Sequence, residues 1–540
     1  MNIKFFGAAR SVTGSCHMLS TSDGDFLIDC GMRQGQDKRG EYGEDAFPFD
    51  PSKIKGVLLS HAHIDHSGLI PLLYKRGFTG NVLCTSATSL LATIMLPDSG
   101  HIQEQDAQWQ TKKNLRAGKS PVDPLYTVDD ARNSLKYFRG VEYGDVVELT
   151  KNIRVCFRNA GHLLGSAVIE IWVTENSKTS KIVFSGDIGR ADRPIIEDPA
   201  VISDADYVVM EGTYGNRNHG IGSDDEKENE FREVLSQAIR RGGNVIIPSF
   251  AIGRTQEILY YIKGIMESGT LPELEKVSVY IDSPLGIEAT KVYERCVNGY
   301  YDEEALALSK TGSPFELSNL NIAQSADESK LINVTDGQKI IISSSGMCDA
   351  GRIRHHLKHN LYKGNATVIF AGYQAQGTLG RSLLDGVKKV RLFGEEVRVN
   401  AKVVNMEGFS GHAGKDELLN WVSTLAKKPR NVFLVHGEED ALASLGSALE
   451  ERGFAVTIPH LGDSIELDMS GRPEPAQIEP VKTITIESTS RDYAMREQIE
   501  RLESMLSRAM TRRSPDMELK LTILQADLKS LADKWDELIK

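Results

Sequence analysis

The chain lacks a Cys-x-x-Cys pair, any unbroken apolar run of about 18 residues and any surplus of positive charge, and each absence removes a class of protein. Its six cysteines, Cys16, Cys30, Cys84, Cys156, Cys296 and Cys348, are far apart, so neither a thiolate zinc site nor a disulfide framework is expected. They read as reduced, mostly buried thiols of a cytoplasmic protein. Without a long apolar run no membrane span is expected. The start, Met1-Asn2-Ile3-Lys4-Phe5-Phe6-Gly7, shows no basic segment followed by a long apolar core, so no signal peptide is expected either. A net charge of −12 argues against a protein that coats nucleic acid non-specifically, while leaving room for a local basic groove.

What is present is ordinary globular material, 540 residues with 40% hydrophobic and 26% charged side chains, too long for one core and expected to form two or three domains. Up to about residue 212, short apolar runs alternate with Gly, Asp and Pro. Phe26–Asp29, Val57–Ser60, Val168–Val173, Lys181–Ser185 and Tyr207–Glu211 read as strands ending in polar residues. Residues 86–118 carry helical spacing. From 213 to 399 helices and strands alternate: Asp225–Arg241 and Arg254–Met266 read as helices, and Asn244–Pro248, Val277–Asp282, Lys339–Ser343 and Ala366–Phe370 as strands. That alternation predicts a doubly wound α/β sheet. Strand patterns return at Glu396–Val399 and Asn431–Val435. Beyond about 485, Met495, Ile499, Leu502 and Leu506, then Leu521, Leu524, Leu528 and Leu531, repeat at heptad spacing. They predict two helices, Ser514 capping the second, which form a hairpin or a coiled-coil surface for a second copy or partner protein, or pack on the protein's own body.

The densest chemistry is Ser60-His61-Ala62-His63-Ile64-Asp65-His66, which places three imidazoles and a carboxylate in six residues after an apolar strand. They cannot all reach one ion, because a strand sends i and i+2 to the same face while the following turn re-aims the rest. His61 and His63 are expected on one metal, Asp65 and His66 on a second. Two metals roughly 3.5–4 Å apart can share a hydroxide and clamp the attacking and leaving oxygens of a phosphodiester. More donors must come from elsewhere. His162 in a Gly-flanked turn, Asp187 at a strand end, and His412 and His436 at strand-to-turn junctions have the right character.

Taken together with Asp29 and Glu211, and with supporting stretches such as Gly7–Ser15, Ser343–Met347 and Gly372–Thr378, these residues resemble the metallo-β-lactamase-fold nucleases of the β-CASP group. Within it the chain is most similar to the cleavage-and-polyadenylation-factor-like ribonucleases of bacteria and archaea, over about residues 1–470. The resemblance implies an αββα sandwich built from residues 1–212 and 400–475 and an inserted β-CASP domain at 213–399, and it leaves the helical tail at 485–540 unaccounted for. It implies two zinc ions per chain: one on His61, His63, His162 and Asp187, the other on Asp65, His66, His436 and the shared Asp187. Asp29 is then expected to orient a ligand imidazole. His412 is expected as general acid, held protonated by Glu211, with Asp65 also among the catalytic residues.

The implied reaction is hydrolysis of single-stranded RNA to 3′-hydroxyl and 5′-phosphate ends, by internal cutting or by 5′-to-3′ digestion. Arg254, Ser345 and Arg352, near helix starts, are expected to meet RNA phosphates. No RNA-recognition motif, zinc finger or basic arm is visible, so low sequence specificity is expected. Three rivals stand beside this reading: a DNA-directed member of the group, a small-molecule hydrolase on the same fold, and an inactive scaffold subunit.

Overall fold

The computed structural model describes residues 1–34, 47–218, 224–375, 377–406, 408–469 and 483–485. The chain divides into two units, Met1–Thr483 and Ile484–Lys540. Of the helical tail expected at 485–540, residues 486–540 lie outside the described residues.

Strands β1 to β6 (Asn2–Phe5, His17–Thr21, Gly24–Ile28, Ile54–Leu58, Asn81–Thr85 and Phe138–Val141) and β7 to β11 (Val146–Thr150, Ile153–Asn159, Ala167–Glu175, Lys178–Phe184 and Tyr207–Glu211) precede the insertion. The insertion holds β12 to β19 (Val245–Pro248, Ser278–Asp282, Leu320–Ile322, Lys339–Ser343, Thr367–Phe370, Lys389–Leu392, Glu395–Arg398 and Lys402–Asn405). The chain then returns through β20 to β22 (Asn431–Val435, Val456–Thr457 and Ser464–Glu466).

One sheet runs β22-β1-β2-β3-β4-β5-β6 and a second runs β21-β20-β11-β10-β9-β8-β7. Their inner faces meet through aromatic rings: Phe5 lies 5.6 Å from Phe433, and His17 lies 6.3 Å from Phe184. Outside the first sheet, Leu27, Val57 and Val82 pack with Leu73, Leu96 and Ala131 of the helices Ile70–Lys75, Ser86–Arg116 and Val128–Ser134. Outside the second, Val183, Val208 and Val432 pack with Leu418, Val422 and Leu445 of Lys415–Ser423 and Glu439–Glu451. The result is the αββα sandwich, each sheet burying both faces.

The inserted sheet is wholly parallel, in the order β14-β13-β15-β12-β16-β19. Along β12, Val245 and Ile247 enter one core and Ile246 the other, so helices cover both faces as a continuous apolar run requires. The core holding Val245 also takes in Ala62, Leu91, Leu163 and Leu164, which packs the insertion onto the loops after β4 and β8 and onto the helix Ser86–Arg116.

The pattern at 396–399 stays within the insertion, where β18 folds back on β17 as a hairpin, and one detail departs from the sequence reading. β19 then adds to the edge of the inserted sheet beside β16, so the insertion extends past residue 399.

Direction matters more than count. β3 and β4 are parallel, β10, β11 and β20 are parallel, and β8 is antiparallel to β9, which is antiparallel to β10. β8 therefore points the same way as β10. In each sheet the strands that precede the expected site residues all end on a common edge, where α/β folds gather ligands.

Candidate metal centre

Just past those strand ends lie Asp29 after β3, His61 after β4, His162 after β8, Asp187 after β10, Glu211 closing β11 and His436 after β20. Beyond β4 the chain runs through Ser60–His63 and then makes a one-turn helix, Ile64–Ser67, which carries Asp65 and His66. Two glycines allow the loops to close on one another. A Cβ on Gly31 would stand 1.6 Å from the Asp65 carbonyl oxygen, and one on Gly189 would stand 1.7 Å from that of Gly161, beside His162.

His61 Nε2 is 3.1 Å from His63 Nδ1, and His162 Nε2 is 3.3 Å from the same atom. Asp187 Oδ2 is 3.5 Å from His61 Nε2 and 3.6 Å from His162 Nε2. Donors held about 2.0–2.1 Å from a tetrahedral zinc are about 3.3–3.4 Å apart, so these four atoms fit one ion. The other carboxylate oxygen faces a second group: Asp187 Oδ1 is 3.2 Å from His66 Nε2, and Asp65 Oδ2 is 3.5 Å from His436 Nε2 and 4.0 Å from His66 Nε2. His66 Nε2 and Asp187 Oδ1 are buried and make no well-formed hydrogen bond, which is costly unless a cation satisfies them. Asp187 thus turns one oxygen to each group.

Four imidazoles are oriented from behind. His66 Nδ1 meets Asp29 Oδ2 at 2.7 Å, His61 Nδ1 meets the Ser60 hydroxyl at 3.0 Å, His162 Nδ1 meets the Gly411 carbonyl at 3.0 Å, and His436 Nδ1 meets the Thr213 hydroxyl at 3.1 Å. Asp29 also accepts the Ser60 amide and hydroxyl at 2.7 and 2.8 Å. With Nδ1 carrying the proton, each ring turns the lone pair of Nε2 inward, the arrangement by which an outer partner sets a ligand's tautomer. Burial and neighbouring imidazoles hold His61 and His162 well below the usual histidine range, and burial takes His63 to about 4. Burial works against the charged form of Asp187, yet His436, His66 and His61 around it hold its carboxyl well below the ordinary value. Burial would also lower His66 and His436, but Asp187, with Asp29 at His66 and Asp65 at His436, outweighs it and raises both. An incoming cation displaces those protons.

His412 stands beside this cluster. Its Nδ1 is 3.1 and 3.2 Å from the two oxygens of Glu211 and 4.0 Å from Asp187 Oδ2. Asp187, Glu211 and His412 are close enough to form a third donor group. However, Glu211 already accepts the Ile188 amide at 2.6 Å and the Thr213 hydroxyl at 2.5 Å, so its oxygens are committed to positioning.

Family models match the chain along its length: the metallo-β-lactamase superfamily at residues 10–130, the β-CASP domain at 255–383, and the Zn-dependent metallo-hydrolase RNA specificity domain at 396–459. Ribonuclease TTHA0252 of Thermus thermophilus is 38% identical over 468 residues, spanning 86% of this chain and 100% of that protein. The chain belongs to the β-CASP metallo-β-lactamase family. The transcription termination factor FttA of Methanosarcina mazei is 30% identical over 84% of this β-CASP chain and 69% of its own length, and that of Methanocaldococcus jannaschii is 30% identical over 81% and 67%. With the donor set above, the family assignment makes this a metal-binding protein.

In this β-CASP protein the residues expected to meet RNA fall elsewhere. Arg254 is buried, its guanidinium bonded to Glu257 and to the Phe409 carbonyl, so it holds the segment before His412 and does not face solvent. Arg352 is tied to Asp282 at 2.7 Å and to the Ala323 and Gln324 carbonyls, and the half-buried Ser345 bonds only weakly to Ala350 at 3.4 Å. Neither joins the histidine cluster.

Glu257 faces a second buried cation, Arg193, at 3.6 Å, and Arg193 bonds the carbonyls of His162 and Gly411. The triad therefore ties Arg254 and Glu257 of the inserted domain, through Arg193 of the sandwich, to the loops of His162 and His412. Sequence reasoning missed Ser60, Thr213, Arg193 and Glu257. Ser60 and Thr213 adjoin residues that were singled out, whereas nothing in the sequence joins Arg193 to Glu257. Replacing Glu257 with alanine leaves two buried guanidiniums uncompensated and is expected to cost about 3–5 kcal/mol, read as a lowered denaturation midpoint.

Proposed function

We propose that the chain is a zinc-dependent ribonuclease holding two ions, on His61, His63, His162 and Asp187 and on Asp65, His66, His436 and Asp187. It hydrolyses single-stranded RNA in the cytoplasm to 3′-hydroxyl and 5′-phosphate ends. The observation that carries this reading is Asp187, whose two carboxylate oxygens face two separate imidazole groups 3.2–3.6 Å away. The match to an RNA specificity domain and the ribonuclease among its relatives support RNA as substrate.

Ions bound there supply an activated water near neutral pH and neutralise charge on the phosphoryl oxygens. The chain's own groups do the rest. Asp29, Ser60, Gly411 and Thr213 fix the ring orientations, so the donors pay little reorganisation when the ions bind. Glu211 holds His412 through Nδ1, which places the transferable proton on Nε2 for the departing ribose 3′ oxygen.

Purified protein is expected to carry about two zinc ions per chain by elemental analysis, and to lose cleavage on chelation and regain it on zinc addition. The first cut is expected to be internal, so a circularised RNA is opened as readily as the linear form. Digestion of a 5′-monophosphorylated linear RNA with the circle untouched would make the enzyme a 5′-to-3′ exonuclease. Cleavage that survives full metal removal and leaves 2′,3′-cyclic ends would overturn the reading.

A further inference from the structure

A cavity of about 270 Å³ adjoins His412, and Tyr214, Arg217, Tyr373, Arg381, Asn405 and Ser410 are among the residues that line it. Tyr373 follows β16 by three residues, at the carboxyl edge of the inserted sheet where ligands collect. Its ring is 41% exposed. The Arg217 guanidinium lies 4.4 Å from the centre of the Tyr214 ring and 5.2 Å from that of Tyr373. The two tyrosine rings are 6.2 Å apart at 80°, and Tyr214 meets the His412 ring edge-on at 5.9 Å. A continuous chain of edge-on ring and cation–π contacts thus runs from His412 through Tyr214 and Arg217 to the exposed Tyr373.

Charge points the same way. In a chain of net charge −12 the lining presents, among the described residues, two guanidiniums, Arg217 and Arg381, and no carboxylate. Asp385 pairs with Arg381 at 3.0 Å on the outer surface, and Asp416 accepts from Asn218 at 2.7 Å. An exposed ring backed by a cation, in a positively lined hollow, matches a base stacked on an aromatic with its phosphates beside it. An apolar ligand, or a peptide without acidic groups, makes no use of the two guanidiniums. Because His412 is placed to protonate the departing 3′ oxygen, the cavity next to it lies on that oxygen's side of the scissile phosphate.

We propose that Tyr373 is the stacking platform of a nucleobase subsite, which receives the base of the nucleotide whose 3′ oxygen departs, with Arg217 holding the ring in place. The subsite rests on the ribonuclease reading above. It takes any base, since every base offers a π face, and so fits the absence of a recognition motif in the sequence.

The test pairs a protein variant with a substrate variant. An RNA with a mapped cut is compared with the same RNA made abasic at the nucleotide 5′ to that cut, using wild type, Tyr373→Ala and Tyr373→Phe. Loss of stacking is expected to raise KM about 5- to 150-fold, whether the ring or the base is removed. Tyr373→Phe keeps the wild-type KM. Removing ring and base together is expected to cost no more than removing either one, since both delete the same contact. Independent multiplication of the two effects, or a Tyr373→Ala enzyme of wild-type KM, would overturn the subsite. Zinc content and the Tyr373→Phe result separate a folding defect from a binding one. A wild-type enzyme that cuts no RNA would overturn the ribonuclease reading itself.

Discussion

His412→Ala is expected to slow RNA cleavage by about 10²–10⁴-fold while the protein keeps its full complement of zinc. The size follows from the loss of a positioned proton donor. Retention of metal follows from geometry, because His412 belongs to neither of the two proposed ligand sets and is instead engaged by Glu211 at 3.1 and 3.2 Å. Burial pulls the imidazole toward its neutral form, but Glu211, with Asp187 and Asp65 beyond it, holds it up at about 9. In the proposed role the protonated ring is the active form, so activity is expected below that pKa and falls as pH rises through it. Bound cations oppose the imidazolium and set the alkaline limb at or below about 9. Glu211→Gln removes the carboxylate that raises the pKa, so its alkaline limb is expected at lower pH than that of wild type. A pH series of kcat/KM on both variants, with zinc measured on each, checks the assignment. Loss of an ion from His412→Ala would place the ring with Asp187 and Glu211 as a ligand and remove the acid.

The six-residue run was legible because its donors are local: His61 and His63 lie in the loop after β4, and the one-turn helix Ile64–Ser67 re-aims Asp65 and His66. His162, Asp187 and His436 were legible as residue types at strand ends. Their convergence was not, since it depends on β8, β10, β11 and β20 all pointing one way. Arg254 shows where local reading misleads. A basic residue at a helix start resembles a phosphate site, yet Glu257 stands one turn on and the Phe409 carbonyl, 155 residues away, takes the rest of the guanidinium. β19 was overlooked for a different reason. Lys402 is exposed and Val403 and Val404 only half-buried, so this edge strand carries little of the apolar signal that marks β12 or β15.

Asp187→Ala is expected to empty both metal positions and to lower cleavage by at least about 10⁴-fold, the largest single-residue effect the structure supports. Every other ligand candidate serves one group; Asp187 turns Oδ2 to His61 and His162 and Oδ1 to His66. Its removal takes a donor and the only shared negative charge from both sets, leaving three neutral imidazoles at the first position and Asp65 with two imidazoles at the second, too few donors to hold either divalent cation firmly. Asp65→Ala supplies the contrast. Asp65 approaches His436 at 3.5 Å and His66 at 4.0 Å, so its loss is expected to release the second ion and leave about one zinc per chain. Elemental analysis of the two variants therefore separates a shared carboxylate from a private one. If Asp187→Ala kept one zinc as Asp65→Ala does, the two groups would be independent sites, and the two-ion clamp on a single phosphodiester would have to be given up.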